Sequence, residues 1–265
     1  MNKVISKDGT PIVFDKKGNG PIVILVDGAG GNRAFGPNVT LAPLLAEKHT
    51  VITYDRRGRG ESGDTRPYDL SREIDDIEAL IQHTGESAFV YGISSGGALA
   101  LEAASRLPAI RKLAIYEVPF IVDNSRAPLP PDYLAKLAEL VDSGQRGAAL
   151  KHFMKTGVGL PAILVAMMPL MPGWSKMKSI AHTLIQDTTF MVDLQKGNPL
   201  PADRWSSVTM PALILDGGKS PLWVRNAAKS LANILPNAAY QTLEGQTHIV
   251  KPAALAPVLM NFFKE

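Results

Sequence analysis

Short apolar runs recur along this chain with helical stretches between them, and that alternation restricts the fold more than any single residue does. The runs are "PIVILV" (21–26), "TVITYD" (50–55), "SAFVYG" (87–92), "RKLAIYE" (111–117), "MPALILD" (210–216) and "AAYQTLE" (238–244). A run that is apolar on nearly every residue suits a parallel strand covered on both faces. Helix-like stretches separate them, near 41–48, 94–107, 221–235 and 251–265. The clearest is "DLSREIDDIEALIQHTG", where Ile74, Ile77, Leu80 and Ile81 share one face and Gly85 follows the last turn. The segment "SKDGTPIVFDKKGNGP" (6–21) reads as part of an opening hairpin. Strand–helix alternation predicts an α/β fold: a mostly parallel central sheet flanked by helices.

The rhythm stops between residues 120 and 206. That stretch is rich in proline and helix formers, shows no clear strand, and holds six of the nine methionines. It is expected to be a helical insertion, with residues 1–119 and 207–265 forming the core. A chain of 265 residues, 45% hydrophobic, suits one well-buried domain with such an insertion.

Composition excludes several classes. The net charge of +3 comes from interspersed charges, which is no nucleic-acid footprint. No cysteine is present, so disulfides and cysteine-ligated metals are excluded. The N-terminus is polar and lacks the apolar core of a signal peptide. The apolar run 157–173 is short for a membrane span and is broken by Pro161, Pro169 and Pro172. A soluble, cytoplasmic protein without membrane or nucleic-acid partners is expected. The basic run "DRRGRG" (55–60) leads into "ES" and lacks the Gly-Lys-Ser/Thr ending of a phosphate loop, so it is read as a structural turn.

Chemistry enters at "VYGISSGGALAL" (90–101). It contains G-x-S-x-G as Gly92-Ile93-Ser94-Ser95-Gly96, between a strand and a helix. Small residues on both sides let strand and helix approach, and leave the Ser94 hydroxyl at the tip of a sharp turn. A serine nucleophile needs a base. Of the five histidines, only His248, in "LEGQTHIV", lies between a late core strand and the closing helix. An imidazole titrating near neutrality takes the hydroxyl proton and returns it to a leaving group. His49 and His83 lie near helix ends and are read as structural; His152 and His182 fall in the insertion. Acyl transfer also needs two N–H donors for the oxyanion. Ser95 is placed to give one, and Gly28 or Ala29 of "DGAGG" (27–31) the other.

With "VDGAGG", "YDRRGRGES", "GISSGG", "PALILDGGKSP" and "GQTH" in this order, the chain resembles the α/β-hydrolase superfamily over nearly its whole length. The resemblance implies an α/β-hydrolase fold with a helical cap at 120–206, a Ser–acid–His triad in chain order, and no cofactor. In many relatives the acid follows strand seven. Here that loop reads "GGKSP", with Ser220 where an aspartate would stand. Other members place the acid after strand six, where this chain has Glu117. The pairing of "G-x-S-S-G" with "Y-E-V-P" is similar to the zearalenone-lactonase type, which uses a glutamate there. Glu117 is therefore the expected acid, with Asp216 as the alternative.

The expected activity is cleavage of a carboxylic ester or lactone. The insertion suggests a small, mostly apolar substrate, with Met154, Trp174 and Met191 lining its site and Trp205 as a further aromatic wall. A carbon–carbon bond hydrolase, a cofactor-free haloperoxidase and a ligand-binding receptor on the same scaffold are the alternatives. Self-association into a homo-oligomer stays open.

Overall fold

The computed structural model describes residues 2–85 and 87–264; Met1 and Glu265, which close the expected core segments, lie outside them. The described residues form one eight-stranded sheet. In chain order the strands are β1 (Asn2–Ile5), β2 (Pro11–Lys17), β3 (Ile22–Val26), β4 (Thr50–Tyr54), β5 (Ala88–Ile93), β6 (Ile110–Tyr116), β7 (Ala212–Gly217) and β8 (Ala238–Leu243). Their order across the sheet is β1-β2-β4-β3-β5-β6-β7-β8. The opening hairpin is antiparallel, β2 runs antiparallel to β4, and every later pairing is parallel. The α/β expectation holds, down to the antiparallel hairpin at one edge.

Both faces of the sheet are covered, which is why its central strands read as unbroken apolar runs. Ile24, Val90, Leu113, Ile115 and Ile214 point to one face. There they meet α2 (Leu70–Thr84), α3 (Ser95–Ala104) and α9 (Leu222–Ile234). Val23, Leu25, Phe89, Leu213 and Leu215 point to the other, against α1 (Asn38–Leu45) and α10 (Pro252–Phe262). Helix α2 shows how local signals set an element. The Asp69 side chain accepts from the Ser71 amide at 2.8 Å to cap its start. Gly85, at φ 72°, closes it in the left-handed conformation.

Between β6 and β7 the chain is helical. The segment carries α4 (Tyr133–Asp142), α5 (Arg146–His152), α6 (Ala162–Met167), α7 (Trp174–Ser179) and α8 (Leu184–Thr189), with a π-helical turn at Phe153–Val158. Its middle has its own small core, with Tyr133, Leu137, Leu150, Val165, Met168 and Leu184 buried together. Its ends do not. Phe120, Met191, Leu194, Leu200 and Trp205 join the main core beneath α3. Trp205 stacks on Phe120 with ring centroids 5.9 Å apart, and its indole N–H donates to Glu102 Oε1 at 3.0 Å. This segment, the expected cap, is thus rooted in the main core at both ends.

Packing is tight where α3 leaves the sheet. A methyl group added at Gly96 would sit 2.4 Å from the Val26 carbonyl oxygen and 2.5 Å from that of Asp27. Both obstacles are backbone, so neither swings aside. Gly96→Ala is expected to lower stability by about 1–3 kcal/mol, the usual cost of overpacking. Urea unfolding followed by circular dichroism reads this, and an unchanged midpoint would contradict the packing described.

Candidate active site

Two residues other than glycine have positive φ among the described residues: Ser94 at 57° and Glu117 at 50°. Each costs backbone strain and persists only where its surroundings hold it. Ser94 stands between β5 and the first turn of α3, with ψ −128°. The approach of Gly92 to Gly96 permits this: a methyl at Gly92 would lie 2.4 Å from the Gly96 carbonyl oxygen. The Ser94 amide donates to the Tyr116 carbonyl at 2.9 Å, tying the turn to the end of β6.

Glu117 directly follows that strand. It is fully buried, and its own amide donates to the Leu215 carbonyl at 3.0 Å. The carboxylate is held at both oxygens. Oε1 accepts from the Gly217 amide at 2.7 Å, and Oε2 lies 2.7 Å from His248 Nδ1. A carboxylate accepts, so Nδ1 carries the proton of the neutral ring and Nε2 keeps its lone pair. The Tyr116 hydroxyl donates to the Thr247 carbonyl at 2.6 Å and steadies the histidine loop. The His248 side chain itself is 46% exposed. Among the described residues no hydrogen bond joins Ser94 Oγ to His248. Such contacts are often long in a free enzyme and tighten around substrate.

Asp216, the alternative acid, faces elsewhere. Its Oδ2 accepts from the Tyr240 hydroxyl at 2.6 Å and from Arg225 Nε at 3.3 Å, and among the described residues it makes no hydrogen bond or ion pair with His248. Three other histidines pack against aromatic rings: His49 on Phe263, His83 on Phe14 and His152 on Tyr133.

The loop after β3 runs beside the serine. A methyl at Gly28 would come within 3.0 Å of Ser94 Cβ and 3.6 Å of its Oγ. Gly31 N–H closes a turn onto the Gly28 carbonyl at 3.2 Å. Ser95 is the first residue of α3, so its amide has no partner within the helix.

Beneath this loop lies an ionic cluster that the sequence did not disclose. Arg56 and Arg59 are buried. Arg56 is bidentate to Glu73 at 2.7 and 2.8 Å and reaches Asp187 Oδ1 at 2.7 Å. Arg59 reaches Asp187 Oδ2 at 2.6 Å. The Ser95 hydroxyl donates to Asp187 Oδ1 at 2.8 Å. Burial alone would raise the Asp187 carboxyl; Arg59, Arg56 and Ser95 outweigh it and hold the group below the usual carboxylate range. The turn "DRRGRG" is structural, as expected, yet its arginines are interior ones.

The substrate-lining expectation is corrected in part. Met191 is 4% exposed and packs in the main core, and Trp205 lies buried beside it. Both fill space at the root of the cap. Met154 and Trp174 are half-buried against the cap's own core, and Trp174 lies 3.5 Å from where a methyl on Gly147 would stand.

The sequence profile of the alpha/beta hydrolase family matches residues 23–258, and the chain belongs to that family. It is an enzyme of this hydrolase class. A crystal structure of an alpha/beta hydrolase from Sphaerobacter thermophilus DSM 20745 is 49% identical to it with a TM-score of 0.92, covering 99% of this chain and 100% of that one. An uncharacterized hydrolase of Bacillus subtilis, YraK, is 35% identical over 111 residues, 40% of this chain; the match spans 40% of that protein's length. An enol-lactonase structure from Burkholderia xenovorans LB400 shares the fold at 18% identity, with a TM-score of 0.74 and complete coverage of both chains. No helix among the described residues is long and apolar enough to cross a membrane.

One group here titrates in an accessible range. Asp27, just before the loop, is buried with Oδ1 lacking a partner, and burial pushes its carboxyl up to about 7 against the pull of Arg59 and Arg56. Folded, it keeps its proton to about pH 7; unfolded, it loses it near the ordinary 3.8. Between those values the folded state binds more protons, so its contribution to stability fades as pH rises through that window. Asp27→Asn removes the titration. The melting temperature of the variant minus that of the wild type is expected to rise from pH 4 to pH 8. A difference that is flat with pH would contradict this.

Proposed function

We propose that the enzyme cleaves a carboxylic ester or lactone of a small, mostly apolar substrate through an acyl-enzyme intermediate. Ser94 is the nucleophile, His248 the general base and Glu117 the acid that orients it. The observation that carries this reading is the 2.7 Å contact between Glu117 Oε2 and His248 Nδ1, made by a fully buried carboxylate at the edge where Ser94 is held. Its partner nitrogen, Nε2, is left free to accept the hydroxyl proton.

The steps follow from these atoms. His248 Nε2 takes the proton of Ser94 as Oγ attacks the carbonyl carbon. Negative charge passes to the carbonyl oxygen, where the N–H groups of Ser95 and of Gly28 or Ala29 stabilise it. The buried Glu117 stabilises the imidazolium without itself taking the proton. The carbon–oxygen bond then breaks and His248 returns the proton to the leaving alkoxide. In a lactone that alcohol stays attached to the acyl group. Water repeats the sequence on the acyl-enzyme and frees the acid. The similarity to an enol-lactonase supports the lactone side of this reading. Met154 and Trp174 are half-buried on the same apolar cluster that Ala29 of the loop beside Ser94 packs against, which supports an apolar acyl or alcohol portion.

Ser94→Ala is expected to abolish turnover of p-nitrophenyl esters and labelling by a fluorophosphonate, with the circular dichroism spectrum unchanged. Undiminished turnover would overturn the mechanism. Glu117→Gln is expected to lower kcat by on the order of 10²- to 10⁴-fold, as for a lost triad acid. Asp216→Asn is expected to leave kcat/KM close to wild type. The reverse ranking of those two variants would reassign the acid.

A further inference from the structure

A carboxylate of the cap sits among the groups that shape the candidate oxyanion hole. Asp187, in α8, is fully buried. Its two oxygens bind three donors of the core: Arg56 Nη1 at 2.7 Å, Ser95 Oγ at 2.8 Å and Arg59 Nη2 at 2.6 Å. Among the described residues it is the one acidic side chain that Arg59 contacts.

The same guanidiniums hold the other donor loop. Arg59 Nη1 donates to the Gly28 carbonyl at 2.7 Å and to that of Gly31 at 3.2 Å. Arg56 Nη1 donates to the Asp27 carbonyl at 3.2 Å. A trans peptide is planar, with C=O and N–H on opposite sides. Fixing the carbonyls of Asp27 and Gly28 toward the arginines therefore aims the N–H groups of Gly28 and Ala29 the other way. The shorter contact is at Gly28, which makes the Ala29 N–H the better fixed of the two. Through Ser95 Oγ the same carboxylate holds the residue that presents the second donor.

We propose that Asp187 is a positioning residue: by binding Ser95, Arg56 and Arg59 together it aligns the two oxyanion donors, so that the seated cap completes the oxyanion hole. This rests on the reading of Ser94 as nucleophile. Asp187 touches no reacting atom. Its effect is on the transition state, where the oxygen carries charge, and much less on the bound substrate.

In the whole 265-residue chain, Asp187→Asn replaces one acceptor with an amide donor facing an arginine. Misplacing catalytic groups by about 1 Å costs on the order of 10²-fold in rate. The expected result is a kcat about 10²-fold lower on p-nitrophenyl butyrate, with KM within about threefold. A trifluoroketone, which forms a tetrahedral adduct on serine, is expected to bind about 10²-fold more weakly, while the unreactive ether analogue of the substrate keeps its affinity. A structural role alone would move both ligands or neither. Ser95→Ala cuts only the Ser95 link and leaves the arginine pairs in place, so it keeps the test open if Asp187→Asn does not fold. It is expected to lower kcat by about tenfold at constant KM, the scale of one hydrogen bond to a charged group.

Wild-type kcat in both folded variants, or equal losses in trifluoroketone and ether affinity, would overturn the proposal. If Asp187→Asn does not fold, wild-type kcat in Ser95→Ala alone would overturn it. Those outcomes with an inactive Ser94→Ala leave the hydrolase mechanism standing; an active Ser94→Ala removes the mechanism itself.

Discussion

The candidate site depends on how closely one helix approaches the sheet. Helix α3 starts against the carbonyls of Val26 and Asp27, and only glycine at position 96 allows that distance. From this contact follow the positive φ of Ser94, the half-buried tip it occupies, and the nearness of the Gly28 loop to its hydroxyl. The strain at Ser94 and at Glu117 is sustained by neighbouring strands: the Ser94 amide bonds to Tyr116 and the Glu117 amide to Leu215. The sheet supplies the rigidity, and the chemistry-bearing side chains sit where its strands end.

A second constraint is electrostatic. Arg56 and Arg59 are buried, and an unpaired charge in the interior is far more costly than a paired one. Glu73 and Asp187 neutralise them, so two cations face two carboxylates. Removing either carboxylate would leave a buried guanidinium uncompensated, which makes the set strongly interdependent. The cluster spans three parts of the chain: the turn after β4, helix α2 and the cap.

Much of the fold was legible because its signals are local. Mostly apolar runs marked β3, β5, β6 and β7, and the four-residue face followed by Gly85 marked α2. The sharp turn at Ser94 was legible because glycines lie two residues to either side of it. Long-range pairings were not. Glu117 showed only as a carboxylate at a strand end; its partner lies 131 positions later, and only the family resemblance suggested the pairing. Asp187 lies 128 positions from Arg59 and falls in no motif. In the insertion, short helical turns give too little periodicity to tell inward methionines from outward ones. Met191 and Trp205 therefore read as pocket residues although they fill the core.

The roots of the cap bear on how such a segment is inherited. Its ends are buried through Phe120 and Trp205, and its Asp187 plugs a charge deficit in the body of the enzyme. A segment rooted in this way is not a free module. Grafting a foreign insertion between β6 and β7 would strip Arg59 of its counterion and leave Arg56 with Glu73 alone, unless the donor brought an acid to the same spot. Drift in cap sequence is thereby tethered to one position, while the apolar outer surface around Leu170 and Met171 is under no comparable restraint from the core.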